Sequence, residues 1–470
     1  MNFERGEPMN EMPNRRAMLQ AGCGFGALAM GGLLPGQGRA TLATHHAPKA
    51  KRVLFLFMQG GVGHIDSFDH KPRLARDDGK MMPFDDSRQV ANTGTRGSSQ
   101  RIFGSPWKFA PRGQCGRMTS DLFPNIGQRV DDLCFLHGMH TEGVAHGPAT
   151  LFLHCGSSAF VRPSMGSWVL YGLGTENENL PGFITISPSP GNGGARNYGT
   201  AFLPPRFQGT PLGRAGGSSK EVTFKDLSGD GDSGRVRDLL AKLHAEQLAR
   251  HPGDAAIDAV VRSYETAGRM QLSAPGVIDL STETATTLAS YGIGSGPTDS
   301  FGRQCLLARR FLESGVRFVQ VTYGDGSANP AWDQHSNLPQ HGVHARAVDQ
   351  PVAALLADLK QRGLLEDTLV WFGSEFGRTP YAERNGTGRD HNPSGFTVWL
   401  AGGGVKPGFA FGATDEFGHH AVDGRMHMHD LHATILHLLG IDHERLTFRF
   451  AGREFRLTDV HGQVARPIIA

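Results

Sequence analysis

The sequence predicts an α/β/α sandwich, a mostly parallel sheet with helices on both faces. Three observations carry this expectation. Val53–Met58 and Leu369–Phe372 are short, continuously apolar runs, the composition of strands buried on both faces of a parallel sheet. A stretch with apolar residues at helical spacing, Val352, Leu355, Leu356 and Leu359, leads straight into the second run. Glycine-rich turns bearing polar side chains follow the strands directly, where open α/β sheets place their ligands.

The totals agree with a soluble globular protein. The 470 residues, 39% apolar and 20% charged, can bury a large core as one domain with insertions or as two. A net charge of +2 gives no electrostatic reason to expect nucleic acid as a partner. The 64 Gly and 27 Pro predict many loops. Five Cys without a CxxC make neither a zinc ribbon nor a disulfide framework, and leave one or two disulfides open.

Residues 1–45 are expected to lie outside the fold. Arg15-Arg16 precede a weakly apolar Gly/Ala-rich run from Ala21 to Leu34, then Gly38-Arg39-Ala40. This resembles a twin-arginine signal, which implies a translocase partner during export and a periplasmic or otherwise exported mature chain. A Gly-rich run makes a poor core helix. No other segment approaches the roughly 18 apolar residues of a membrane span.

The mature chain, 46–470, opens with the strand Val53–Met58, which feeds Gln59-Gly60-Gly61-Val62-Gly63-His64-Ile65-Asp66. Gln59, His64 and Asp66 are candidates to line a site there. No Gly-Lys-Ser/Thr follows, so this is not a phosphate loop. Residues 70–120 read as a long polar surface excursion. A second strand, Leu133–Leu136, is followed by a loop through His146 into a helix that ends at Gly156, and backbone N–H groups at such a helix start suit an anion. Phe183–Ser187 is a weak strand, and little regular structure is expected from Pro188 to Gly217. A helical insertion is expected near 233–290, with two helices broken at His251-Pro252-Gly253.

Phe301–Glu313 then reads as a helix and Val316–Thr322 as a buried strand. Its loop carries Trp332-Asp333-Gln334-His335, and Asp with His two residues apart can share one cation, a mixture suited to Zn, Mn or Fe more than Ca. Pro351–Arg362 is expected as a helix with Pro in its first turn, closed by Gly363. After the strand Leu369–Phe372 come Glu375 between glycines, an exposed-looking loop, Asp390-His391, and the strand Phe396–Leu400.

Gln59–Asp69, Trp332–His335, Glu375-Phe376-Gly377-Arg378-Thr379-Pro380 and Gly388-Arg389-Asp390-His391, with the double-Arg start, together resemble the DUF1501 family over nearly the whole mature chain. That family consists of exported bacterial proteins of undefined activity and is placed in the alkaline phosphatase/sulfatase superfamily. The resemblance therefore implies a sandwich of alkaline-phosphatase type. Pro351–Gly377 and Asp430–Ile441 each resemble a sulfatase segment.

The departures are informative. Gln59 stands where the superfamily has a metal-binding Asp, Glu375 where a metal motif has Asp, and Phe376 where its neighbour is His or Asn. His146 falls where sulfatases carry the modified Cys nucleophile. The resemblance implies a divalent metal held by Asp333, His335, Glu375 and His391, with Gln59, His64, Asp66, Asp390 and His146 lining the cleft. His146 is expected as nucleophile or, preferably, as base for an attacking water, and Arg378 and His335 as stabilisers of charge on the transferred group. The function implied is metal-dependent hydrolysis of a phosphate or sulfate ester on a small molecule or polysaccharide. The alternative is a non-catalytic exported binding protein that keeps the fold.

Overall fold

The structure is a computed structural model. It describes residues 44–83, 99–218, 222–223, 233–252, 254, 257, 261, 269, 273–327, 329–383 and 386–470. The expected signal up to residue 43, and most of the second helix of the insertion, lie outside the described residues. Two units result. One holds residues 204–206 and the helix Ser233–Arg250, the first helix expected of the insertion. The other holds the described residues of 44–203, 207–228 and 269–470, and within it 276–283 is tied down by Arg310, whose guanidinium donates to the carbonyls of Gly276 and Val277.

The larger unit is built on a nine-stranded sheet. In chain order its strands are β1 (Arg52–Met58), β2 (Leu133–His140), β3 (Phe183–Ile186), β4 (Thr210–Leu212), β5 (Phe318–Tyr323) and β6 (Thr368–Gly373). A separate hairpin, β7 (Gly377–Ala382) and β8 (Arg389–Asn392), precedes β9 (Phe396–Ala401), β10 (Phe409–Phe411) and β11 (Met426–His427). Across the sheet the order is β10-β2-β9-β6-β1-β5-β3-β4, with β11 beside β2.

All five strands expected for the core join this one sheet, and the pairs along β6-β1-β5-β3-β4 are parallel. β9 runs antiparallel to both of its neighbours. Its N-terminal end, just after Asp390-His391, therefore lies beside the carboxyl ends of the parallel strands. Its glycines, Gly402 and Gly403, fall at the opposite edge against Leu365 and Leu369.

Side chains alternate across β1 and divide the core in two. Leu54, Leu56 and Met58 pack with residues of α3 (Asp299–Glu313) and α4 (Gln340–Gln361). Val53, Phe55 and Phe57 pack with α1 (His146–Cys155), α2 (Met165–Leu173) and α5 (Met428–Leu438). Helices on both faces complete the sandwich.

Three local expectations are corrected. α4 begins at Gln340, so Pro351 sits inside it. Proline removes a hydrogen bond from a helix interior, but buried Ala345 and Val348 before it share a packed side with Val352 and Leu355 after it. Gly363, with φ +69°, follows the helix end as expected. The region 188–217 contributes the strand β4. The loop expected between Glu375 and Asp390 is the hairpin β7–β8, whose residues are buried. Burial of its arginines is possible because each is fully partnered, as described next. The cysteines among the described residues, Cys115, Cys134, Cys155 and Cys305, are free thiols.

Candidate metal centre

The carboxyl ends of β1, β5 and β6 and the first residue of α1 bring four side chains together. One ligand atom from each of His146, Asp333, His335 and His391 lies within 4.8 Å of the others. Asp333 and His335 come from the irregular loop after β5, His391 from β8 and His146 from the start of α1.

The loop after β5 is fixed by close backbone approach. Trp332, fully buried, donates its backbone N–H to the Gln59 carbonyl at 3.2 Å. Gly60, with φ +115°, admits this approach: a Cβ there would stand 2.7 Å from the Asp333 nitrogen.

Asp333 Oδ1 is the focus of the cluster. His146 Nε2 lies 3.1 Å from it, His335 Nε2 2.9 Å, and His391 Nε2 3.2 Å. Arg378, fully buried on β7, donates to the same oxygen at 2.7 Å. The two outer imidazoles also meet, His335 Nε2 to His391 Nε2 at 3.0 Å.

Every imidazole is held from behind by its other nitrogen. His146 Nδ1–H donates to Glu375 Oε1 at 2.6 Å, His335 Nδ1–H to Glu383 Oε2 at 2.6 Å, and His391 Nδ1–H to the Val144 carbonyl at 2.8 Å. A carboxylate or carbonyl only accepts, so these contacts fix the proton on Nδ1 and turn three Nε2 atoms inward. His146 Nε2 is buried and makes no hydrogen bond of good geometry.

The electrostatics follow from this geometry. Burial pushes His391 down to about 3. Burial also opposes charge on His335, but hydrogen bonds with Asp333 and Glu383 carry it up to about 9. Burial would raise the Asp333 carboxyl, yet the three imidazoles and the Arg378 charge hold it well below the usual carboxylate range. Three lone pairs and a carboxylate oxygen crowded this closely require positive charge among them, supplied by protons or by a cation. The donor set, three imidazole nitrogens and one carboxylate, fits a divalent transition metal.

The sequence-derived roles are redistributed. Asp333, His335 and His391 come together, but Glu375 stands one layer behind. Its two oxygens accept from the Gly60 N–H at 3.0 and 3.1 Å, and Oε1 takes the His146 proton. His146 stands with Asp333, His335 and His391 in the cluster, where the sequence led to Glu375 being expected. Arg378 faces Asp333 and the carbonyls of Gly60, Gly61, Trp332 and Arg389, which use its donors inside the protein instead of in a cleft.

Asp66 is paired in two contacts with Arg389, both fully buried, and His64 donates Nε2–H to the Gly418 carbonyl. Neither belongs to the four-residue cluster. Asp390 Oδ1 accepts the His391 backbone N–H at 2.7 Å and lies 3.7 Å from His335 Nδ1. Gln59 follows β1 and is fully buried, its side chain close against Gly324. Phe376 walls the cluster, its ring 4.3 Å from that of His391 and 5.0 Å from that of His146. Glu383 was not anticipated. It follows β7 directly, in a segment without strand-like alternation, and only the hairpin places it beside His335.

The sequence matches the family described as "Protein of unknown function (DUF1501)" over residues 50–469. The chain belongs to the DUF1501 family. The sequence matches no curated protein. Among solved structures, the DUF1501 chain is similar to the lipoteichoic acid synthase LtaP from Listeria monocytogenes, at 10% identity and TM-score 0.38 over 92% of this chain and 80% of that one. It is similar to the PsFucS1 sulfatase from Pseudoalteromonas sp., at 14% identity and TM-score 0.35 over 92% and 73%. A protein in the alkaline phosphatase superfamily from Vibrio parahaemolyticus shows 10% identity and TM-score 0.35 over 92% and 76%. Among the described residues, no helix of the DUF1501 chain is long and apolar enough to cross a membrane.

Proposed function

We propose that this DUF1501 protein is a metal-dependent hydrolase of phosphate or sulfate esters, with His146, Asp333, His335 and His391 as the ligands. The observation that carries the reading is the set of three imidazoles, each locked through Nδ1 onto an acceptor, with Nε2 turned toward one carboxylate oxygen. Outer-layer acceptors of this kind orient metal-binding histidines and raise their basicity. A divalent ion held there supplies Lewis acidity to an ester oxygen and to an attacking water.

The chain's own groups perform the rest. Glu375, Glu383 and the Val144 carbonyl fix the imidazole planes. Arg378 anchors Asp333 and neutralises part of the local negative charge. Phe376 excludes water from one side. His335 has the most exposed side chain of the four, 23% against 8% or less for the others, so the ester approaches over His335. α1 begins at His146, and the backbone N–H groups of His146 and Gly147 at its start suit an anionic ester. No atom would crowd a Cβ placed on Gly147, which leaves that turn approachable. The choice of phosphate or sulfate esters rests on the motif resemblance of Pro351–Gly377 and Asp430–Ile441.

Metal-loaded protein assayed on aryl phosphate, phosphodiester and aryl sulfate should turn over at least one of them. Glu375→Gln should lose roughly 10–100-fold in metal affinity or rate, the usual effect of removing such a partner. Undiminished turnover in both Glu375→Gln and His146→Ala would end this reading. Stable metal loading without any turnover would favour the non-catalytic binding protein instead.

We also infer export through the twin-arginine route, motivated by Arg15-Arg16 and the Gly/Ala-rich run after them. A chain carrying Arg15→Lys and Arg16→Lys should remain in the cytoplasm as folded precursor. Normal amounts of mature protein outside the cytoplasm would exclude this route.

A further inference from the structure

His341, in the first turn of α4, is not a member of the four-residue cluster but is tied to it through one peptide bond. The residue is fully buried. Its ring lies 5.2 Å from that of Trp332 and stacks on Trp107 at 6.3 Å, so packing sets its plane. Its Nε2 lies 3.0 Å from the Trp332 carbonyl oxygen. A carbonyl only accepts, so the imidazole proton sits on Nε2 and is given to that oxygen. Burial pushes His341 down to about 4, and at neutral pH this is the one proton it carries.

The carbonyl belongs to the peptide that joins Trp332 to Asp333. At the other end of that peptide the Asp333 N–H donates to the Pro330 carbonyl at 2.7 Å. A peptide is planar, so holding its oxygen and its N–H fixes the whole plane. That plane sets the direction in which the Asp333 side chain leaves the main chain, and Asp333 Oδ1 is the atom on which His146, His335 and His391 converge. Arg378 also donates to the Trp332 oxygen, at 3.2 Å, but it bonds Asp333 Oδ1 as well. The His341 N–H reaches the main-chain oxygen and not a ligand side chain. Its effect on the centre therefore passes through the peptide.

We propose that His341 is a positioning residue of the metal centre, whose Nε2–H holds the Trp332–Asp333 peptide so that Asp333 and, two residues on, His335 face the shared ion. This rests on the reading of His146, Asp333, His335 and His391 as ligands. An apolar side chain would fill the same buried place without the cost of desolvating a polar ring. What it would not supply is a donor for the carbonyl beside a ligand. Sites that hold a metal well have their ligands locked in place by partners of this kind.

Cobalt(II) is the probe, because its visible absorption bands report the arrangement of the ligands as well as occupancy. The full chain should bind Co(II). His341→Leu should bind it roughly 10-fold more weakly, the lower end of what outer partners of metal ligands are worth, and the bands of the bound ion should shift. His341→Gln places an amide N–H where Nε2 was and should recover most of the affinity and the parent bands. A histidine that served packing alone would lower the urea midpoint of His341→Leu and leave the bands of bound Co(II) in place. Unchanged affinity and bands in His341→Leu, or a loss that His341→Gln does not recover, would overturn the proposal. Should His341→Leu not fold, His341→Gln against His341→Asn makes the same comparison, since the shorter amide falls short of the carbonyl. Equal affinity and bands in those two would overturn it equally. A parent chain that takes up no Co(II) would remove the four-ligand reading and this proposal with it, so the two failures are told apart.

Discussion

Asp333→Ala should cost about 3–5 kcal/mol of folding stability, the range measured when one partner of a buried ion pair is removed. The reason lies in Arg378. Its side chain is 0% exposed and its carboxylate partner is Asp333 at 2.7 Å, so deletion strands a guanidinium in the interior with backbone carbonyls alone. The same change removes the atom on which three imidazoles converge, so metal retention should disappear as well. Asp333→Asn keeps an oxygen acceptor for Arg378 and should lose less stability while still weakening metal binding. Urea denaturation of both variants in the presence of a chelator isolates the structural part. A midpoint for Asp333→Ala within experimental error of the parent would show that Arg378 is not held in this way.

Acid should unfold the protein well before its carboxylates protonate. His154, His341, His429 and His432 are all at most 4% exposed. Burial pushes the first three down to about 4 and His432 down to about 3. Above pH 6.5 these groups are neutral in both states and stability is unaffected by them. Between pH 6.5 and about 4 the unfolded chain binds their protons and the folded chain does not, so stability falls as pH falls. Each such proton is worth ~1.4 kcal/mol per pH unit, and four together roughly 5 kcal/mol per unit, comparable with the whole stability of a domain. His335, raised to about 9, is protonated in both states below pH 6.5 and does not oppose this slope. Denaturation midpoints measured at half-unit steps from pH 7 to 4.5 should be flat at first and then fall steeply. A midpoint that holds constant to pH 4.5 would mean that these imidazoles are not kept neutral by burial.

Much of the fold is legible in the chain because the central strands are buried on both faces. Val53–Met58, Leu369–Phe372 and Phe396–Leu400 advertise themselves as unbroken apolar runs. What a run does not reveal is direction, which is why antiparallel β9 was not foreseen. β4 is only Thr210-Pro211-Leu212 at the edge of the sheet, too short for any periodicity to register. The helical pattern around Pro351 invited a helix start there, since the apolar residues that continue α4 toward its N-terminus are separated by Arg346, His344 and Gly342.

The site was legible in a similar, partial way. Asp333-x-His335 and Asp390-His391 stand near strand ends within polar loops, and their spacing alone makes them candidates. The choice between Glu375 and His146 as fourth member is a tertiary matter. It depends on α1 placing its first residue against the end of β6, with Glu375 caught between the Gly60 N–H and the imidazole. The partners of the arginines are a tertiary matter too. A buried Arg378 or Arg389 looks like a surface residue until the carbonyls and the carboxylates of Asp333 and Asp66 that surround it are in place.

The central claim is that one cation sits among His146, Asp333, His335 and His391. Anomalous X-ray diffraction from crystals of protein purified without chelator, collected across the Zn, Fe and Mn absorption edges, tests it most directly. The account predicts a single peak bonded at about 2 Å by the three Nε2 atoms and an Asp333 oxygen, with Glu375 bonded to His146 and not to the ion. A peak ligated by Glu375 in place of His146, or none after soaking with each metal, would contradict it.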